Sequence, residues 1–176
     1  MDKADCGVIY SDEDYVGFWR RILIIIFDLV MVVPILFLGY VADLHRYEVT
    51  LADNFIFYQY FSISLCYLYM TVLKSSRIGT LGQIVTKSKI VILKGKRPNF
   101  FQMSFRLWFW LFGPINFIFD LAFIQFNSEK RTFRDCLSNT IVVNKSAEPI
   151  QSNAKIGYSR VFAFGFNILY ARVKSS

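Results

Sequence analysis

The residues with the clearest capacity for chemistry are charged side chains inside apolar runs. Asp28, Arg106 and Asp120 each interrupt such a run, and Arg21 immediately precedes the first. Ionisable groups within a membrane are costly, usually face other helices, and mark either a functional path or a structural ion pair. We expect Arg106 to pair with Asp28, either as part of a transport path or as a bridge that fixes helix pairing.

Asp120 lies deeper in the third apolar run and needs a partner if it is ionised. Arg106, fourteen residues earlier, shares a similar face of a continuous helix and is one candidate partner. The alternative is that Asp120 lies near a membrane interface and reaches water. The sequence leaves both interpretations open.

A stripe of hydroxyl side chains adds a second polar feature. It follows i, i+4, i+7, i+11 spacing and comprises Tyr60, Ser64, Tyr67 and Thr71. Residues at this spacing share one face of a helix. The stripe could line a wet path or bond to Asp28; alternatively, its small hydroxyls mediate helix packing and its tyrosines lie at interfaces.

Signatures of an enzyme are absent from the sequence. The chain has one histidine, His45, and its three cysteines, Cys6, Cys66 and Cys136, are widely separated. This pattern predicts no catalytic residues, no metal site and no cofactor. The basic residues are explained by anionic lipid headgroups, so we expect no nucleic-acid partner.

Three apolar runs should position these side chains. They are Ile22–Val41, Phe55–Leu73 and Phe100–Phe126, in a chain of 176 residues that is 55% hydrophobic. Runs of about 20 apolar residues predict membrane-spanning helices. The predicted fold is therefore an all-α integral membrane protein with three apolar helical segments. The third is either a re-entrant hairpin bent at Gly113-Pro114, which we favour, or one long helix kinked there.

The distribution of Lys and Arg predicts the orientation. The linker between the second and third runs holds seven basic residues and no acid, whereas the 43–54 loop holds one arginine, Arg46. Basic residues are retained on the cytoplasmic side. We expect a multi-pass protein with a cytoplasmic N-terminus, beginning with an acidic segment over residues 1–15, and an external 43–54 loop.

The segments outside the apolar runs also carry structural signals. Ile90–Leu93 and Thr140–Val143 are β-prone and predict a small cytoplasmic sheet. Leu81–Lys89 is a candidate interfacial helix. The tail, residues 144–176, is basic and aromatic; within it Ile156–Val173 is predicted to be a helix on an anionic leaflet, or a segment held by a partner.

Several short motifs in a fixed order resemble one family. They are VGFWRRILIIIFD over Val16–Asp28, Thr80-Leu-Gly82, the Lys94–Pro98 turn followed by Arg106, and RDCLSNTIVV over Arg134–Val143. Together they resemble the RDD family of membrane proteins, with its arginine at Arg21 and its aspartates at Asp28 and Asp135. The resemblance predicts a membrane domain over residues 16–143.

The sequence departs from the family pattern at three positions, and the resemblance implies a location more clearly than a function. Gln83, Asn139 and Arg134 stand where the family usually has lysine, glycine and histidine. Membership implies a bacterial inner (cytoplasmic) membrane, and transport has been suggested for the family. As a family position, Asp135 is expected to pair with Arg21 and clamp the closing motif; the alternative is a cap for Leu137–Thr140.

Two functions are compatible with these sequence features. The first, which we favour, is an accessory or scaffold subunit of a larger membrane assembly, held together by a charge network. The second is an ion or small-solute transporter that works as an oligomer. The expected partners are anionic lipids and either other membrane subunits or further copies of the chain.

Overall fold

The computed structural model describes residues 6–50, 57–109, 120, 123–124, 129–163 and 166–173. Its first long element is helix α1, Phe18–Thr50, which contains Pro34 and extends well past the predicted end at Val41. Its 33 residues span about 50 Å. The Phe18–Arg46 segment includes a window of mean hydropathy 2.9 that is only 17% buried. Most of this surface therefore faces away from the rest of the chain.

Helix α2, Phe57–Leu68, packs against α1 and continues into a π-helical turn, Tyr69–Leu73. Small residues allow the two helices to approach closely. A Cβ on Gly39 would lie 2.2 Å from the hydroxyl oxygen of buried Ser62, so only glycine permits this approach. The sulfur of Cys66 lies 3.9 Å from the carbonyl oxygen of Val32 at the same interface.

The predicted pairing of the two β-prone runs is confirmed. Strand β2, Ser88–Ile92, pairs antiparallel with β3, Thr140–Asn144, and places Ile90 opposite Val142. A short helix α3, Leu81–Val85, precedes β2, so the predicted helix over Leu81–Lys89 is present only in its first part. Helices α4, Phe100–Trp108, and α5, Phe133–Leu137, lie between the two strands in sequence.

The tail is a β-hairpin, and the predicted interfacial helix over Ile156–Val173 is wrong. Strand β4, Gln151–Ala163, pairs over its second part with β5, Phe166–Val173, and over its first part with β1, Cys6–Ile9. The strand forms because buried and more exposed side chains alternate here with a period of two residues. Buried Ala171 and Val173 flank the more exposed Arg172, an alternation that suits a strand with one buried face.

The two sheets share a hydrophobic core. Val8 and Ala154 of the three-stranded sheet pack with Val91, Ile141 and Val143 of the two-stranded sheet. A smaller cluster joins this region to the helices and consists of Val16, Ile24, Ile90, Met103 and Val142. The helices and the sheets are therefore joined through packed apolar side chains.

The all-α prediction is wrong. The described residues contain five α-helices and five strands in two sheets. Within them, α1 is the single helix with the length and hydropathy to cross a bilayer, so the expectation of three such segments also fails. In the third run the described helix ends at Trp108, and the Gly113-Pro114 break lies outside the described residues.

Candidate functional site

Asp28 lies fully buried on α1. Helix α3 converges on it with the α2 segment, meaning α2, its π-helical turn and Lys74. Its carboxylate contacts the ammonium group of Lys74 at 2.7 Å. It also accepts hydrogen bonds from the hydroxyl of Tyr69 at 3.3 Å and from the backbone N–H of Gly82 at 3.0 Å. Arg106, the expected partner, contacts a different carboxylate. Asp28 therefore joins α1 to the end of the α2 segment and to α3.

The absence of a side chain at Gly82 allows this arrangement. A Cβ there would lie 2.3 Å from the carbonyl oxygen of Ile24 and 2.8 Å from a carboxylate oxygen of Asp28. Helix α3 begins at this point with a capping box, in which the side chain of Gln83 accepts a hydrogen bond from the N–H of Thr80 at 2.9 Å. The Thr80-Leu-Gly82 motif thus places a backbone donor directly on Asp28.

Asp135 is the second fully buried carboxylate of the site. It contacts Arg21 at 2.5 Å and Arg106 at 2.6 Å, so one carboxylate lies between two guanidiniums. Burial acts to raise the pKa of Asp135, but Arg106 and Arg21 hold it well below its usual range. The predicted Arg21–Asp135 pair is thus present. The site also includes Arg106, which was expected to pair with Asp28.

Asp135 additionally caps α5. Its carboxylate accepts a hydrogen bond from the N–H of Thr132 at 3.3 Å, and the Thr132 hydroxyl accepts one from the N–H of Asp135 at 3.2 Å. The cap lies at the start of α5, whereas the alternative prediction placed it over Leu137–Thr140. Arg21 reinforces the junction by donating to the carbonyls of Val16 and Lys130. One ion pair therefore fixes both the start of α1 and the start of α5.

Asp120 is buried and paired with Arg134. The two side chains are 2.5 Å apart, and the N–H of Arg134 lies 3.4 Å from the other carboxylate oxygen. Neither expectation from the sequence, a bond to Arg106 or an interfacial position, describes this contact. Arg134 was conspicuous in the sequence only as a departure from a motif, although it immediately precedes Asp135.

None of the polar stripe residues is among the described donors to Asp28. The hydroxyls of Ser64 and Thr71 bond to carbonyls four residues earlier in their own helix, and Tyr60 is 63% exposed. Tyr67 reaches α4, where its hydroxyl lies 2.7 Å from that of Ser104. The tyrosine that does bond to Asp28 is Tyr69, at the start of the π-helical turn, where wider winding changes which residues share a face.

A cavity of about 70 Å³ lies at this junction. It has room for at least about two water molecules. Its wall combines apolar side chains from α1, the α2 segment and α4 with five charged ones, Arg21, Lys74, Arg106, Asp120 and Arg134. Among the described residues, no group of three His, Cys, Asp or Glu is placed to hold a metal ion.

Asp43 is a buried residue whose contacts were not predicted. It was assigned to an external loop because α1 was expected to end at Val41. Its carboxylate instead accepts hydrogen bonds from the N–H groups of Tyr58 at 2.8 Å and Gln59 at 2.6 Å, at the start of α2. These groups are fifteen or more residues away, and no local spacing in the sequence indicates the contact.

The model of the RDD family matches residues 15–139, most of the chain. The chain belongs to the RDD family. No curated protein and no solved structure matches the sequence. RDD membership and the apolar helix α1 together support a membrane protein.

The RDD match covers the charged junction but not the three-stranded sheet. Arg21, Asp28 and Asp135 all fall within residues 15–139, whereas β1, β4 and β5 lie outside them. The aspartates assigned by the RDD resemblance do not share a partner: Asp28 pairs with Lys74, and Asp135 with Arg21 and Arg106. The RDD residues therefore form two adjacent ion-pair clusters.

Proposed function

We propose that this RDD protein lies in the bacterial inner membrane, with a cytoplasmic N-terminus, and serves as an accessory or scaffold subunit of a larger membrane assembly. The observation that carries the proposal is the pairing at the junction. Asp28, Asp120 and Asp135 each contact a cation from a separate part of the chain. The three carboxylates thus hold structural elements together.

The energetics of buried ion pairs favour this structural role. Removing one partner of a buried pair costs about 3–5 kcal/mol because the other charge is left without compensation. A carboxylate on an ion path must release its partner during each cycle. Asp28 also accepts two hydrogen bonds, and Asp135 also caps a helix, so releasing either one disrupts several contacts. A rigid junction suits a subunit that presents fixed surfaces.

Exposed apolar side chains along α1 supply a surface for lipid or for other subunits. Phe37 and Leu38 are 62% and 67% exposed, and Val30 and Val33 are 56% exposed each. Such a surface is costly in water and favourable against lipid tails or apolar helices. It supports both insertion into the bilayer and contact with other membrane subunits.

The cytoplasmic placement of the N-terminus is supported by the basic residues near the start of α1. The Arg20 side chain donates hydrogen bonds to the carbonyl of Thr86 and the side chain of Asn144, so the β2–β3 sheet lies at this end of the helix. The basic 74–97 segment includes β2 of that sheet. Lys and Arg are retained on the cytoplasmic side and meet anionic headgroups there.

Purification in a mild detergent, with mass determination and identification of co-eluting proteins, tests the subunit proposal. We expect foreign membrane subunits in fixed stoichiometry. Asp135→Asn should reduce their retention because the junction loosens, whereas Lys96→Gln, at an exposed position, should not. A homogeneous homo-oligomer without foreign subunits would overturn the proposal.

A second candidate, an oligomeric transporter of ions or small solutes, is favoured by the cavity. Lys74, Arg106 and Asp120 line it within a largely apolar surround. For this function, Asp28→Asn should abolish flux in reconstituted vesicles while expression and assembly stay intact. Flux that is absent from the wild-type protein, or that is unaffected by Asp28→Asn, would exclude it.

A further inference from the structure

The cavity at the junction is lined by more cations than the adjacent carboxylates balance. Four cationic side chains line it, namely Arg21, Lys74, Arg106 and Arg134. Their partners are three carboxylates, Asp28, Asp120 and Asp135. Four positive and three negative charges leave one positive charge in excess.

The excess arises because two guanidiniums share one carboxylate. Arg21 and Arg106 both contact Asp135, whereas Lys74 and Arg134 each have a carboxylate of their own. Asp120 is the only Asp or Glu between residues 107 and 128, and the next acid, Glu129, contacts Arg131 and Arg172 rather than a cation of the cavity wall. A buried charge without a counter-charge is costly, so an anion in the cavity would be stabilising.

We infer that this cavity binds a phosphate group, either as free inorganic phosphate or as the phosphodiester of an anionic lipid. Guanidinium groups present planar donors that match oxyanions, and Arg106 and Arg134 both line the space. The apolar side chains of Ile24, Met70 and Met103 complete the wall and strengthen the attraction by lowering the local dielectric constant. The inference rests on this local charge balance and does not depend on the subunit or transporter proposal.

The first experiment follows the melting temperature of the full-length protein in a non-ionic, phosphate-free detergent. Inorganic phosphate is titrated at constant ionic strength, with gluconate as the balancing anion because it carries no phosphate group. We expect a saturable rise in melting temperature with phosphate. Chloride is titrated in the same way in a second series. A saturable rise in melting temperature with chloride, and none with phosphate, would overturn the assignment to a phosphate group.

Gln83→Glu is the decisive variant. Gln83 is buried and lines the cavity, and its side-chain oxygen accepts a hydrogen bond from Thr80. Glutamate also serves at this position of a capping box and gives up only the 3.3 Å hydrogen bond from the Gln83 amide to the carbonyl of Lys74, so the fold should be retained while the new carboxylate balances the excess charge. We expect the affinity for phosphate to fall at least tenfold. The matched control is Lys96→Gln, which changes the net charge by the same amount at an exposed position.

Arg106→Gln should also weaken binding at least tenfold, because it removes a charged donor from the cavity wall. If that variant does not fold, Gln83→Glu still decides the outcome. An equal phosphate response in the wild type, Gln83→Glu and Lys96→Gln would show that phosphate acts elsewhere and would overturn the inference.

A parallel arm identifies the source of the phosphate group. Phosphatidylglycerol is added to the same detergent micelles in place of inorganic phosphate. Stabilisation by this lipid alone, lost in Gln83→Glu, would assign the site to a lipid phosphodiester. Stabilisation by inorganic phosphate, lost in the same variant, would assign it to the free anion. If neither ligand stabilises the wild-type protein, the inference is wrong.

Discussion

The two ends of helix α1 each bury an aspartate, but they hold it differently. At the N-terminal end, Asp28 contacts the cation Lys74, and Arg21 contacts Asp135 on α5. At the C-terminal end, Asp43 accepts hydrogen bonds from two backbone N–H groups at the start of α2. One end is held chiefly by ion pairs, and the other by a helix terminus and by close packing at Gly39.

This difference predicts how each end responds to loss of charge. When a carboxylate faces two backbone donors, an amide in its place still accepts one of the hydrogen bonds and leaves no buried cation uncompensated. A carboxylate that neutralises a buried cation cannot be replaced in this way, since the cation then remains uncompensated. The N-terminal end should therefore be sensitive to charge and the C-terminal end mainly to shape.

The largest expected effect is that of Asp135→Asn. It leaves Arg21 and Arg106 without their shared carboxylate, so we expect the protein to lose about 3–5 kcal/mol of stability. Thermal unfolding in detergent, followed by circular dichroism, measures the change. Lys96→Gln is the control for a change at an exposed charge. A loss below about 1 kcal/mol, the range of exposed ion pairs, would show that the ion pairs do not hold the N-terminal end.

Gly82→Ala should have the next largest effect. The added methyl group meets the backbone of Ile24 and the carboxylate of Asp28, and such overpacking costs about 1–3 kcal/mol. Gly17→Ala is the matched control, because a Cβ there meets nothing within 4 Å. The same unfolding assay compares the two variants. Equal melting temperatures would contradict the close approach of α3 to α1.

Asp43→Asn should have a smaller effect than Asp135→Asn. The amide oxygen accepts one of the two hydrogen bonds, while the amide NH2 faces the other N–H group and the negative charge at the start of α2 is lost, at a cost of about 1–3 kcal/mol. Thermal unfolding of the two variants side by side tests the contrast between the ends of α1. A loss of stability for Asp43→Asn as large as that for Asp135→Asn would contradict the difference between the two ends of α1.

The pH dependence of the protein's stability should be the smallest of these effects. Because the pKa of Asp135 is lowered in the folded protein, its contribution to stability is fully present above the unfolded-state pKa, about 3.9. The contribution is lost as the pH falls further, through the folded-state pKa. We therefore expect the melting temperature of the wild type to fall below about pH 4, and the difference from Asp135→Asn to narrow there. A difference that stays constant down to about pH 3 would contradict the lowered pKa.

Local motifs allowed part of this junction to be predicted from the sequence. The Arg21–Asp135 pair followed from the RDD resemblance, and the β2–β3 pairing followed from two short β-prone runs. Both depend on signals contained within a few neighbouring residues. The partner of Asp28 was missed because Arg106 and Lys74 carry the same charge, and only the packing of the helices distinguishes them.

Features that depend on distant contacts were not predictable in the same way. The aromatic and basic composition of the tail predicts an interfacial helix, whereas the strand depends on its pairing with distant residues. Asp43 was missed because it bonds to N–H groups across a chain reversal. Lys74, Gln83 and Arg134 reach the junction from three separate segments, and their sequence positions carry no signal of that meeting.

The most direct test of a structural role for the Asp28–Lys74 pair combines stability and flux in one pair of proteins. Wild type and Asp28→Asn are reconstituted into vesicles for ion-flux assays, and their melting temperatures are measured in detergent. A structural pair predicts a lower melting temperature for Asp28→Asn and no ion flux that depends on Asp28. Flux in the wild type that disappears in Asp28→Asn, with an unchanged melting temperature, would contradict the structural account and favour transport.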